Sequence, residues 1–173
     1  MEVTGRRSLI DRMIGAALLN IDVYEEVEHD ESATGQAAIA VGLVAVALGV
    51  ASWKAGGTGI LAGIFAAYLS WAIFAGTTYF VGANLFKGTA TWGELLRTTG
   101  FAHSPGVLFV LMAIPVVRLI VFLPLVIWIV IAVIIAIRQA LDITTGKAVV
   151  TAVLGMLLAG LINGLINKLL GIG

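Results

Sequence analysis

The chain contains no cysteine. This excludes disulfides, thiolate nucleophiles and cysteine-ligated zinc or iron–sulfur clusters, and leaves the redox compartment open. Charge is scarce as well. Only 12% of residues are Asp, Glu, Lys or Arg, against a soluble norm of about 25%. Enzyme signatures are missing: there is no Walker loop, no His-Glu-x-x-His and no nucleophile elbow. Ser8, Ser32, Ser52, Ser70 and Ser104 have no convincing histidine–carboxylate companions, since His29 and His103 are the only histidines. The sequence therefore predicts no enzyme and no cofactor. No acidic residue falls at mid-span depth, which argues against a proton-coupled pump. The first thirty residues lack a basic start followed by an apolar run, so no signal peptide is expected. The charge that exists is unevenly spread. Residues 1–31 hold eight of the ten acidic residues and three basic ones, and the rest carries seven basic and two acidic residues. So acidic an N-terminal segment argues against nucleic acid as a partner.

What is present is apolar. Sixty per cent of the 173 residues are hydrophobic, and the mean hydropathy is +1.08. A soluble domain of this size cannot hide that much apolar surface. The expected class is an all-α integral membrane protein, with lipid covering what the core does not. About 20 apolar residues cross the hydrocarbon layer as a helix, and the rare charges mark the breaks. Five spans are predicted, near 33–53, 59–84, 102–117, 120–138 and 148–168. Gly56-Gly57-Thr58-Gly59 reads as the turn before the second. The stretch 101–137 carries one charge, Arg118, between Pro115 and Pro124. It reads as a hairpin with Arg118 snorkelling at its tip, or else as a re-entrant segment. Ser104-Pro105 resembles an N-cap with proline at the first helical position. Thr91-Trp92-Gly93-Glu94 fits a capping box and opens a short helix predicted to lie in the membrane interface.

Basic residues set the orientation. With five spans, one side carries Arg6, Arg7, Arg12, Lys87, Arg97, Arg138 and Lys147, and the other carries Lys54, Arg118 and Lys168. This predicts a cytoplasmic N-terminus and an external C-terminus. A re-entrant segment would move Arg138 and Lys147 outside and erase the bias. In a prokaryote the membrane would be the cell membrane.

Two regions follow. Residues 1–32 form an N-terminal amphipathic helix and an acidic collar, and 33–173 form the five-span domain. Leu9, Ile10, Met13, Ile14, Ala17, Leu18 and Ile21 recur at helical spacing. The expected site is the leaflet surface, a partner protein or the cytoplasmic ends of the spans. Glu25, Glu26, Glu28 and Asp30 read as a solvated collar before the first span, with a basic docking partner as the sharper alternative. Asp30, Glu31 or Ser32 would cap that span. Glu26-x-x-His29 has the spacing of carboxylate-bridged metal sites in helical bundles, but the further carboxylates such a site needs are not visible on facing helices.

Arg138 and Asp142 are spaced to pair at a helix end. Gly59-x-x-x-Gly63 and Gly160-x-x-x-Gly164 permit close helix packing. His103, Asn163 and Asn167 are the candidates for a polar groove, with Thr77, Thr78 and Asn84 as further lining. The candidate surface for a protein or lipid partner comprises Glu25, Glu26, Glu28, Asp30, Trp92, Glu94, Arg97, Arg138 and Asp142.

The order of these segments resembles the Ypt-interacting-protein (Yip) domain family, in its prokaryotic branch. The resemblance runs through Tyr24-Glu25-Glu26-Val27-Glu28, Ala33-Thr34-Gly35-Gln36-Ala37 and Thr91-Trp92-Gly93-Glu94-Leu95-Leu96-Arg97 followed by Gly100-Phe101-Ala102 and Pro105. It continues in Trp128, Arg138-Gln139-Ala140-Leu141-Asp142 and Gly146-Lys147-Ala148. It covers about residues 8–165. His29 stands where similar sequences are expected to carry a small residue. The resemblance implies five spans with a cytoplasmic N-terminus. Eukaryotic relatives are associated with Rab-type GTPases, vesicle traffic and membrane shaping, but fold analogy alone does not transfer that role. The leading expectation is a non-enzymatic membrane protein acting through association with lipids, a second copy or another membrane protein. The competing expectation is a small transporter, channel or lipid-translocating protein.

Overall fold

The computed structural model describes residues 7–52 and 60–170. Arg6, Lys54 and the Gly56–Gly59 turn lie outside them. Every regular element among the described residues is a helix: α1 (Leu9–Ala17), α2 (Ile21–His29), α3 (Ala33–Ser52), α4 (Ile60–Phe86), α5 (Trp92–Ala102), a 3₁₀ helix (Ser104–Ala113), α6 (Pro115–Leu141) and α7 (Thr145–Leu170). Four of these, α3, α4, α6 and α7, are long and apolar enough to cross a membrane.

The N-terminal periodicity resolves into two helices rather than one. Leu19 adopts a left-handed φ of 61°, and Asn20 starts α2 by accepting from the Asp22 amide at 3.0 Å. The two helices fold back on each other and share a hydrophobic core with the bundle. Val23, Tyr24 and Val27 pack in one cluster with Ala33, Leu95 and Ile137.

The capping box at Thr91 forms. Glu94 accepts from the Thr91 amide at 2.8 Å and the Thr91 hydroxyl accepts from the Glu94 amide at 3.3 Å. The helix it opens is not laid flat on a surface. Leu95, Arg97, Thr98, Thr99, Gly100, Phe101 and Ala102 are all buried, because α5 is enclosed by the N-terminal hairpin, α3, α4 and α6. Its three threonine and histidine side chains bond back to the helix itself: Thr98 to the Glu94 carbonyl, Thr99 to that of Leu95, and His103 Nδ1 to that of Thr99.

The predicted third span is the 3₁₀ helix. Ser104 provides no side-chain cap, and its hydroxyl is buried without a partner. Pro105 withholds an amide, and the first bond runs from the Gly106 amide to the His103 carbonyl at 2.8 Å. A Cβ on Gly106 would come within 2.7 Å of Val44, and one on Gly100 within 2.9 Å of Ala37. The run α5–3₁₀ therefore travels beside α3 in the same direction. At about 1.5 Å per residue for α5 and about 2 Å for the 3₁₀ helix, it extends roughly 36 Å.

The hairpin tip lies at Ile114, not at Arg118. Pro115 opens α6 instead of breaking it, since a proline at the first position lacks only an amide that has no helical partner anyway. Arg118 then sits one turn inside α6, its amide bonded to the Ile114 carbonyl at 3.0 Å. Pro124 lies within the helix.

Helices α4 and α7 are antiparallel. The Thr77 hydroxyl donates to the Gly155 carbonyl at 2.9 Å, and Ser70 donates to Asn163 at 3.3 Å. The close approach is made at Gly155, where a Cβ would stand 2.5 Å from Thr78 Cγ2. The expected Gly160–Gly164 pair does not do this: a Cβ at either meets nothing within 4 Å. Gly63 is equally open, and Gly59 lies outside the described residues.

Candidate functional site

Two places gather the polar groups that the sequence singles out. The first is the end of the bundle where α1–α2 docks. Arg12 is fully buried. Its guanidinium donates to Glu26 at 3.0 and 2.7 Å, to Asp30 at 2.6 Å and to the Gln36 side chain at 2.9 Å. Arg7 also pairs with Glu26. Burial alone would raise the Glu26 pKa, but the two arginines hold it below its ordinary range. The acidic collar is thus partly neutralised from within the chain. Asp30 also accepts from the Ser32 amide at 3.1 Å and its hydroxyl at 2.7 Å, just ahead of α3. Glu26 and Asp30 do share a face, as their spacing requires, and what stands between them is Arg12. His29 turns away and bonds the Glu25 carbonyl at 2.8 Å.

Arg97 is also buried, with 6% of its surface exposed. It donates to the carbonyls of Val27 and Glu28, at 2.9 and 3.2 Å from Nε and again from Nη2 to Glu28. These are last-turn carbonyls of α2, which have no helical donor and carry the negative end of the dipole. Arg97 is therefore a positioning residue for the hairpin, not a surface group.

The predicted Arg138–Asp142 pair is not made. Asp142 takes a left-handed conformation at the end of α6, which swings its carboxylate to the Thr89 hydroxyl at 2.9 Å. Arg138 bonds Gln139 at 2.9 Å instead, and Gln139 donates to Glu25 at 3.0 Å. Trp92 is half-exposed, its indole N–H on the Ala72 carbonyl at 3.3 Å.

Glu28 is different from its neighbours: it is buried, and no arginine or lysine among the described residues pairs with its carboxylate. Burial pushes its pKa up to about 7; His29 opposes this, while Asp142, Glu94 and Glu25 add to it. The folded state therefore keeps a proton that the unfolded chain, with an ordinary value of 4.5, has released. Stability is complete below the unfolded value and is lost as the pH rises to about 7. Glu28→Gln should remove that loss. In detergent its unfolding free energy should match the parent's near the acidic limit and exceed it above neutrality, by an amount on the order of 2 kcal/mol, with the melting temperature rising accordingly. Thermal melts of both proteins across this range check the sign.

The second place is a cavity of about 380 Å³ among α3, α4, α7 and the start of the 3₁₀ helix. Its lining is mainly apolar, with Val44, Leu48, Phe74 and Met156 among the side chains, and Ser70, His103 and Asn163 supply the polar groups. A smaller cavity of about 120 Å³ adjoins it, and Phe74, His103 and Met156 border both. The sequence brought His103 and Asn163 forward. The structure places them on one cavity and adds Ser70, which sequence reasoning missed as a groove residue. Asn167 is exposed and does not line it. Thr77 and Thr78 belong to the α4–α7 seam, and Asn84 bonds its own helix at the Phe80 carbonyl.

Sequence reasoning also missed two donors at the end of α1. The Tyr24 hydroxyl donates to the Ala16 carbonyl at 2.9 Å, and the Trp128 indole N–H to that of Ala17 at 2.7 Å. The available signal was that a tryptophan inside a long apolar run must find an acceptor.

An all-helical chain with four membrane-length apolar helices is an integral multi-pass membrane protein. The family model of the Yip1 domain matches residues 20–166, nearly the whole chain. The protein belongs to the Yip1 domain family. Comparison with curated proteins and with solved structures finds no match.

Proposed function

We propose that this protein is a non-enzymatic membrane organiser that acts through association, with its N-terminal hairpin resting on the cytoplasmic leaflet. The observation that carries this reading is a row of exposed apolar side chains. Ile10 and Ile14 on one edge of α1 and Leu18 at its C-cap are 66, 54 and 72% exposed, and Ile21 continues the row. On the outer side of α2, Asp22, Glu25 and His29 are exposed instead. An element with one apolar and one charged edge belongs at the boundary between headgroups and acyl chains. The last carbonyls of α1 need no water there, because Tyr24, Trp128 and the amides of Leu19 and Asn20 take them.

Five crossings accompany this reading, with α5 and the 3₁₀ helix together as the third. Its support is the parallel course beside α3 and a combined length that exceeds the roughly 30 Å hydrocarbon layer. Arg7, Lys87, Arg97, Arg138 and Lys147 then share the hairpin's side, which basic-residue bias makes cytoplasmic. The open Gly160 and Gly164 and the exposed Leu161 and Leu165 leave a face of α7 for a second copy or another membrane protein. A transporter or channel would need a polar path, and the mainly apolar lining around His103 and Asn163 favours association over it.

The absence of native cysteines makes the test direct. A nitroxide placed through Ile14→Cys should be accessible to oxygen and shielded from a water-soluble nickel reagent in vesicles, while one at Glu25→Cys should show the reverse. A water-exposed label at position 14 contradicts the leaflet reading. Crosslinking in native membranes should trap a second copy or a partner, and a chain recovered only as monomer counts against association.

A further inference from the structure

We infer that the cavity bordered by Ser70, His103 and Asn163 is a binding site for a single-chain membrane lipid bearing a free hydroxyl group. The argument starts from the histidine. His103 Nδ1 lies 2.6 Å from the Thr99 carbonyl, an oxygen that only accepts. Nδ1 must therefore carry the proton of that bond. A charged imidazolium inside the hydrocarbon layer is costly, so the ring is neutral and Nε2 presents a lone pair. No donor among the described residues reaches it, although His103 borders both cavities. An acceptor that faces space at this depth calls for a donor from whatever fills the space.

The other polar groups of the lining are engaged within the protein. The Trp71 indole N–H donates to the Leu96 carbonyl at 3.1 Å. Ser70 donates to Asn163 Oδ1 at 3.3 Å, and Asn163 Nδ2 donates to the Ala159 carbonyl at 2.9 Å. Asn163 keeps a second N–H. The site thus offers one acceptor and one donor within apolar walls. A hydroxyl group answers both roles, whereas an ether or an alkane leaves Nε2 unpaired. The chain attached to it must be apolar, because Val44, Leu48, Phe74 and Met156 set the rest of the surface. The volume of about 380 Å³ is in the range of small-molecule sites and suits one chain rather than two. The occupant comes from the bilayer, since Ser70 lies ten residues inside α4, about 15 Å from the start of that helix.

The test uses the full chain in phosphatidylcholine vesicles with two photoprobes, diazirine-bearing hexadecanol and its methyl ether. The alcohol should label α4 and α7 peptides about tenfold more efficiently than the ether at limiting probe, the ratio that one hydrogen bond supports. His103→Leu should bring the two probes level. Gly160→Leu should abolish labelling by both, because that glycine borders the cavity and a Cβ added there meets nothing within 4 Å, so the backbone can carry a side chain that fills the space. It leaves His103 untouched and keeps the proposal testable should the histidine variant misfold. Equal labelling by alcohol and ether in the parent protein overturns the proposal, and so does labelling that Gly160→Leu leaves unchanged.

Discussion

Arg12→Met should be the most damaging single substitution in the chain, costing about 3–5 kcal/mol of stability. The guanidinium joins α1 to Glu26 and Asp30 of the acidic collar and to Gln36 on α3, all within 3.0 Å. Deleting it leaves carboxylates facing each other in a site from which the arginine side chain had excluded water. The penalty is that of poorly hydrated charge that has lost its buried countercharge, with only Arg7 left on Glu26, not only of a lost contact. The triple variant Arg12→Met, Glu26→Gln, Asp30→Asn should recover much of the loss, because neutral groups tolerate the same site. Denaturant titrations in detergent would show it. A single variant within about 0.5 kcal/mol of the parent would mean that the cluster is a surface ion pair of ordinary weakness.

Arg97→Leu should follow, at about 2–4 kcal/mol, from the loss of charge-assisted bonds to buried carbonyls. Leucine fills much of the space but leaves the Val27 and Glu28 carbonyls without a donor. Arg97→Lys should recover only part, since one ammonium cannot reproduce the fork that reaches both oxygens. The local signature matters here. Hydrogen exchange should rise through the last turn of α2 while α4 and α7 stay protected. A uniform loss of protection across the bundle would contradict a role confined to the hairpin's end.

Both arginines show where the sequence stopped being readable. The short-range features were legible because their causes are local: the Thr91–Glu94 capping box and the apolar runs between charges. The partners of Arg12 lie 14 to 24 residues away and those of Arg97 about 70. In one dimension each looks like a charge bound for water or phosphate. The collar was misread for the same reason, as its countercharge arrives from another helix. Pro115 was ambiguous because proline both starts and breaks helices, and only the turn at Ile114 decides between them. Of the cavity, the sequence identified His103 and Asn163 as polar groups among apolar ones. Ser70 resembled an ordinary span residue until α7 brought Asn163 against it. Gly155 was passed over for Gly160 and Gly164, since a four-residue spacing marks glycines that can pack but not the one that a neighbouring helix meets.

The number of crossings is measurable by the side on which introduced cysteines react. Glu31→Cys, just before α3, and Lys168→Cys, in the last turn of α7, can each be labelled in oriented membrane vesicles with an impermeant maleimide. With α5 and the 3₁₀ helix as a full crossing, the count is odd and the two positions react from opposite faces. Reaction of both from the same face would mean that this segment returns to the side it came from, and the five-crossing reading would fall with it.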